Sequence, residues 1–130
     1  MSATEGKADR AAKRYKKAQT MVGKTYVAKE YDAAIAMGQA FIKANDSDAE
    51  VHYYLSKSLA EKGDNETAST HIAKAIELAG AEAPGKYYYA QGSQLEKLGK
   101  NSEAIGAYKK ITDEKYKANA AHRITALGGE

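Results

Sequence analysis

Gly63-Asp64-Asn65-Glu66-Thr67-Ala68-Ser69 decides the fold, because the chain holds two further copies in phase with it. Lys29-Glu30-Tyr31-Asp32-Ala33-Ala34-Ile35 lies upstream and Gly99-Lys100-Asn101-Ser102-Glu103-Ala104-Ile105 downstream. The central alanines, Ala34, Ala68 and Ala104, are 34 and 36 residues apart. Self-similarity at a fixed period of this length marks a stacked repeat architecture. Other columns keep the register: Met21, Leu55 and Gln91; then Val22, Ser56, Gly92 and Ala126; then Thr25, Leu59 and Leu95. Phe41, Ala75 and Ile111 each fall seven residues after their alanine. The two extra residues of the second interval fit the connection Ala81-Glu82-Ala83-Pro84-Gly85.

Each period reads as two helices. Leu55, Leu59 and Lys62 share one face at helical spacing, and Ala68, Ile72, Ala75 and Ile76 share the next. Gly63 and Gly99 stand at helix C-terminal stops, where a left-handed residue is needed. Ser47 and Glu50 have capping-box spacing. Pro84 suits a helix first turn, and Thr112 or Asp113 can cap a last helix running from Lys115 to Leu127. Two antiparallel helices joined by a tight turn approach closely only where side chains are small, which accounts for the alanine column and the Val22, Ser56, Gly92, Ala126 column. The expected fold class is all-α, a solenoid of antiparallel helix pairs burying one continuous seam.

This pattern resembles the tetratricopeptide repeat (TPR), a 34-residue helix–turn–helix unit. Its clearest copy is Leu55-Ser56, Leu59, Lys62-Gly63-Asp64, Ala68 and Ala75-Ile76-Glu77-Leu78. Gln91-Gly92, Leu95, Lys97-Leu98-Gly99, Glu103-Ala104 and Tyr108 form a second, and Tyr31-Asp32-Ala33-Ala34 with Phe41-Ile42 a weaker first. The chain departs from the family in two columns: Ala18, His52, Tyr88 and His122 replace a bulky starter residue, and Asp46, Gly80 and Tyr116 replace a closing proline. The resemblance implies repeats at about 15–48, 49–84 and 85–118 and a capping helix over 115–127, all within one domain spanning 9–127. Residues 1–8 are expected to be a disordered tail and 128–130 a short one. The resemblance also suggests a bacterial protein, since short soluble proteins of this family are common in bacteria.

In the family, the first helices of the repeats line a concave groove that takes peptides. By this resemblance the groove would present Lys16, Gln19, Gly23 and Tyr26, then Glu50, Tyr53, Lys57 and Glu61, then Lys86, Tyr89, Ser93 and Lys97, and finally Arg123. Tyr53 and Tyr89 hold equivalent positions. They are read either as groove anchors, offering large rigid contact area, or as rings packed between helices with the hydroxyl at the rim. Tyr54, Tyr87 and Tyr88 fall on flanks that face neighbouring helices. Chaperone-tail members of the family clamp a peptide's terminal carboxylate. At the five clamp positions this chain has Gln19, Gly23, Tyr54, Lys86 and Ala90, and only Lys86 matches.

Composition agrees with this reading. The chain has 130 residues, 43% hydrophobic and 28% charged, with one proline, ten tyrosines and no tryptophan. That describes a folded, water-soluble helical protein of one domain or a short array. With no cysteine there is no disulfide framework, thiolate metal site or thiol nucleophile. No apolar stretch is long enough to span a membrane. The compartment, cytoplasmic or periplasmic, is not legible, since a trimmed signal leaves no trace.

Residues 1–29 carry eight basic and two acidic side chains, and the rest 12 and 15, so a basic first helix sits on a mildly acidic body. Such a run reads as a solvated face or as a contact to nucleic acid, anionic membrane or an acidic partner. No nucleic-acid-binding motif accompanies it. His52, His71 and His122 stand at helix positions without a metal motif, and packing explains His52 and His122 better than ligation. Asn45-Asp46-Ser47-Asp48-Ala49-Glu50 opens like a calcium loop, but it lacks the turn glycine and has Lys57 where the bidentate Glu belongs, so it reads as a capping linker. There is no Walker motif, dinucleotide fingerprint or nucleophile elbow. No catalytic, metal or cofactor site is expected. The expected function is a protein-interaction module, an adaptor or scaffold binding a protein or peptide in the groove. The alternatives are docking of the basic helix on nucleic acid or an anionic membrane, and self-assembly through exposed end repeats.

Overall fold

The computed structural model describes residues 3–129, and among these there are seven α-helices and no strand. They are α1 (Ala3–Val27), α2 (Tyr31–Ala44), α3 (Ala49–Glu61), α4 (Asn65–Ala79), α5 (Gly85–Lys97), α6 (Asn101–Lys109) and α7 (Glu114–Ala126), with a 3₁₀ turn at Gly80–Glu82. Helix α1 begins at Ala3, so residues 3–8 are helical where the sequence reading expects a disordered tail; residues 1 and 2 lie outside the described residues. No proline interrupts the sequence there, so the helix propagates beyond the packed part.

Each first helix of a pair ends in the same hydrogen-bonded turn. Gly63 N–H donates to the Ala60 carbonyl and Asp64 N–H to that of Leu59; Gly99 and Lys100 repeat this on Glu96 and Leu95. Gly63 (φ 91°) and Gly99 (φ 77°) occupy the left-handed region this stop requires. The first pair makes the identical bonds, Lys29 to Tyr26 and Glu30 to Thr25, with a lysine at φ 64°. A non-glycine side chain there crowds its own carbonyl, at a cost of about 1 kcal/mol. Gly128 and Gly129 close α7 in the same way.

Capping differs in detail from the sequence expectation. The N-cap of α3 is Asp48, whose carboxylate accepts from Val51 N–H at 3.0 Å, rather than Ser47. Asp64 caps α4 through Thr67 N–H. Pro84 precedes α5, and its carbonyl accepts from Tyr87 N–H at 3.0 Å. Asp113 stands at the N-cap of α7 but turns its carboxylate onto Gly85 N–H, at 3.1 Å, so it closes α5 instead.

Helices α1, α3, α5 and α7 lie side by side as one layer; α2, α4 and α6 form the other, each packing on the helix before and after it. Ala34, Ala68 and Ala104 are all 0% exposed, which confirms the seam that their periodicity implies. Around them lie three apolar clusters. Leu55, Leu59 and Ala68 pack with Ile35 and Ile42; Tyr53, Ile72, Ala75, Tyr87 and Ala90 form the centre; Ala104, Tyr108, Ile111, Ala120 and Ile124 form the C-terminal end. Buried Ser56 donates to the Ala68 carbonyl at 2.8 Å and accepts from buried Gln94 at 2.8 Å, linking α3, α4 and α5.

The register of the fourth unit is corrected. Helix α6 has nine residues against the fifteen of α4. In consequence α7 starts 29 residues after α5, whereas α5 starts 36 after α3. Ala126 therefore leaves the small column and is exposed, Ala120 being the buried alanine of α7. His122 is exposed as well and does not share the role of His52, which is 2% exposed.

Candidate functional site

Positions 16, 20, 23, 24 and 27 of α1 fall on one face at helical spacing. That face runs beside α3, and together they enclose an open cleft of about 430 Å³ lined by Lys16, Gln19, Thr20, Gly23, Lys24, Val27, Glu50 and Tyr54. Gly23 allows the Tyr54 ring to approach α1 closely: a Cβ there would be 2.9 Å from the ring. The lining is thus partly aromatic and aliphatic, the α1 wall carries two ammonium groups, and Glu50 supplies a carboxylate from α3.

Of the groove residues expected from sequence, Lys16, Gln19, Gly23 and Glu50 meet in this cleft. Thr20, Lys24, Val27 and Tyr54 are additional. The first three were legible from their spacing with Lys16 and Gly23; Tyr54 was not, because its neighbours come from another repeat. Gln19 has a second role, donating to Asp48 at 2.7 Å next to the Tyr15 hydroxyl, which bonds the same oxygen. Asp48 thereby fastens α1 to the start of α3.

Past the cleft, the expected groove residues are engaged with one another. Lys86 pairs with Glu50 at 2.8 Å and lies 4.8 Å from the Tyr53 ring centroid. Glu50 also accepts from the Tyr87 hydroxyl. Burial, then this bond, raises the Tyr87 phenol well above its ordinary value. Tyr53 stacks on Tyr87 at 5.1 Å between centroids and is 9% exposed, a member of the central cluster. Its hydroxyl is likewise raised, chiefly by burial. Of the two readings of Tyr53, the packed ring is the one observed. Tyr89 is half-buried against Tyr108 and Tyr116.

Lys57 lies 6.0 Å from the Tyr26 ring centroid. Burial pushes its ammonium below the ordinary lysine value; Glu61 opposes this and Lys97 adds to it. Glu61 and Lys97 are exposed and Ser93 half-buried. Arg123 binds Glu96 through both Nε, at 3.1 Å, and a terminal nitrogen. The guanidinium bonds hold the Glu96 carboxyl below its ordinary range. Arg123 thus staples α7 to α5.

The Asn45–Glu50 segment does not converge on an ion. Asp46 turns to His52 Nε2 at 3.0 Å, and Asp48 turns to α1 and to Val51. His52 Nδ1 lies 3.0 Å from His71 Nδ1. Among the described residues no group of three or more His, Asp or Glu side chains gathers in a way that could hold a metal. No helix among them is long and apolar enough to cross a membrane.

No protein-family model matches the chain, and no curated protein is significantly similar to it. Solved structures are. A variant of MamA shares 24% identity over 75% of this chain and 69% of its own, with a TM-score of 0.67. The type III secretion translocator chaperone SycD of Yersinia enterocolitica shares 14% identity over 88% and 91%, with a TM-score of 0.76. The first TPR domain of Spaghetti (RPAP3), bound to an HSP90 peptide, shares 16% identity over 90% and 98%, with a TM-score of 0.75. At these identities the likeness is one of fold, and the fold is a TPR-like helical repeat.

Proposed function

We propose that the protein is an interaction module, an adaptor or scaffold, that takes a peptide segment of a partner in the cleft between α1 and α3. The observation that carries this is the open cleft itself, which combines the apolar surface of Gly23, Val27 and Tyr54 with the ammonium groups of Lys16 and Lys24 and the carboxylate of Glu50. Packed helices hold these groups in place, so most of the ordering entropy falls on the incoming peptide. Three structures of this fold support the reading: SycD is seen with a peptide of the translocator YopD, and the first and second TPR domains of RPAP3 each with an HSP90 peptide. The ligand differs from a clamped chain terminus, because Lys86, the one matching clamp residue, is already neutralised by Glu50. The chemistry favours an apolar side chain over Val27 and Tyr54, with an adjacent carboxylate toward Lys16 and Lys24.

Peptides selected from a displayed random library against the whole chain test this. Binding should weaken about tenfold or more on Val27→Glu, and similarly on the double change Lys16→Glu with Lys24→Glu, as expected for central contacts. Circular dichroism should be unchanged, since these positions are exposed. Selected peptides that bind all these variants as they bind the parent chain would refute the site.

A further inference from the structure

A second surface stands at the N-terminal end of the array, on a different face from the cleft. Leu55 in α3 is 0% exposed because α2 lies across it, whereas Met21, one repeat earlier, is 39% exposed because no helix lies across α1 there. Met21 belongs to an open groove of about 560 Å³ between α1 and α2, formed by Tyr15, Ala18, Met37, Ala40 and Phe41 and edged by Arg14. Tyr15 (38%) and Met37 (40%) are among the most exposed large apolar residues described. An apolar surface of this kind, continuous and rimmed by charge, marks an interaction site more often than a bare solvent face.

Two features say what covers it. First, the equivalent surface one repeat along is covered by a helix. Helix α2 meets α3 through Ile35, Gly38 and Ile42, an apolar–small–apolar seam at i, i+3 and i+7, with Gly38 so close that a Cβ would be 3.3 Å from Leu55. An occupant that repeats this packing is a helix with that seam. Second, the α1 edge is basic. Arg10, Arg14 and Lys17 recur at i, i+4 and i+7 and are exposed, and no acidic side chain lines the groove. Two copies meeting through this face would oppose two such rows, and like charges facing each other disfavour association. An acidic flank is complementary.

We propose that the groove between α1 and α2 docks an amphipathic helix of a partner protein, with acidic residues on the flank that faces α1. The partner would occupy the place that α2 occupies on α3. This interaction is independent of the α1–α3 cleft.

Fluorescence anisotropy with two labelled synthetic helical peptides tests it. Both carry leucine, alanine and leucine at i, i+3 and i+7; one is flanked by glutamate and the other by lysine. The glutamate peptide should bind the full chain at least about tenfold tighter than the lysine peptide, with affinity falling as salt rises. Met21→Glu and Met37→Glu should each abolish binding, while Val27→Glu in the cleft should leave it unchanged. Joint reversal of Arg10, Arg14 and Lys17 to glutamate should switch the preference to the lysine peptide, which keeps the test informative where a methionine variant folds poorly. Absence of binding, equal binding of both peptides, or a preference that survives the reversal would overturn the proposal. So would a concentration-dependent dimer in sedimentation that Met21→Glu abolishes, which would make the occupant a second copy of the chain.

Discussion

The first helix pair and the second share a register, yet equivalent residues have opposite surroundings. Leu55 and Ser56 are sealed, while Met21, one step before the buried Val22, stays open. His52 and His71 face each other at 3.0 Å, where Ala18 and Met37 border an open groove. Gly63 occupies the left-handed turn that Lys29 must adopt with a side chain. The difference teaches that a repeat's position in the stack, rather than its own sequence, decides which of its faces is core. An interior unit is covered on both sides and tolerates little; the first unit is covered on one.

The sharpest way to break this contrast is to add volume at a small position in an interior unit and at another in the first. In Gly92 a Cβ would meet the Tyr108 ring at 2.5 Å, and that ring is held by Glu96 and Tyr89. Gly92→Ala should destabilise by about 3 kcal/mol, because a closed interior cannot yield. Gly23→Ala, where the half-exposed Tyr54 ring can swing away, should cost about 1 kcal/mol or less. Thermal melts followed by circular dichroism check both, and equal losses would contradict the position-in-stack argument.

A middle-sized effect is expected at the joint between the two pairs. Asp48→Ala removes the α3 cap and the shared acceptor of Tyr15 and Gln19, costing about 2 kcal/mol and freeing α1 to exchange its amides faster. The same bond sets an alkaline sensitivity. Hydrogen bonding to Asp48, with burial second, raises the Tyr15 phenol from 10.0 to about 12. A raised folded value means the stabilisation is complete below pH 10 and is lost as pH rises through about 12. The stability difference between the parent chain and Tyr15→Phe should therefore shrink across that window; a constant difference would show that the bond is not formed.

A comparably small effect is expected from exchanging the turn residues. Lys29→Gly should stabilise by about 1 kcal/mol and Gly63→Lys should cost about as much, since no neighbour lies within 4 Å of a Cβ at Gly63 and only backbone strain is at stake. Urea midpoints at constant slope would show it.

The sequence made the stack legible because repeat architecture is local. Turns, small columns and apolar faces recur within 40 residues, and Ala34, Ala68 and Ala104 needed only their spacing to be placed in the seam. Reading failed where a feature depended on more than one repeat. Ser47 and Asp48 both suit a cap, and the choice fell to Asp48 because α1 brings Tyr15 and Gln19 to its other oxygen. Tyr53 and Tyr89 are equivalent in sequence, but the Tyr53 ring stacks on Tyr87 in the core while Tyr89 stays half-buried. Arg123 was placed in the groove by a register that the short α6 displaces by seven residues, and it binds Glu96 instead.

Periodicity alone therefore determined that this chain is a row of antiparallel helix pairs, because each unit's pattern is written within its own length. Which tyrosines are core, where α7 enters the layer, and which surfaces remain open were decided only by tertiary packing. Burial is a property of what a neighbouring helix covers, and the neighbour is not encoded in the residue it covers.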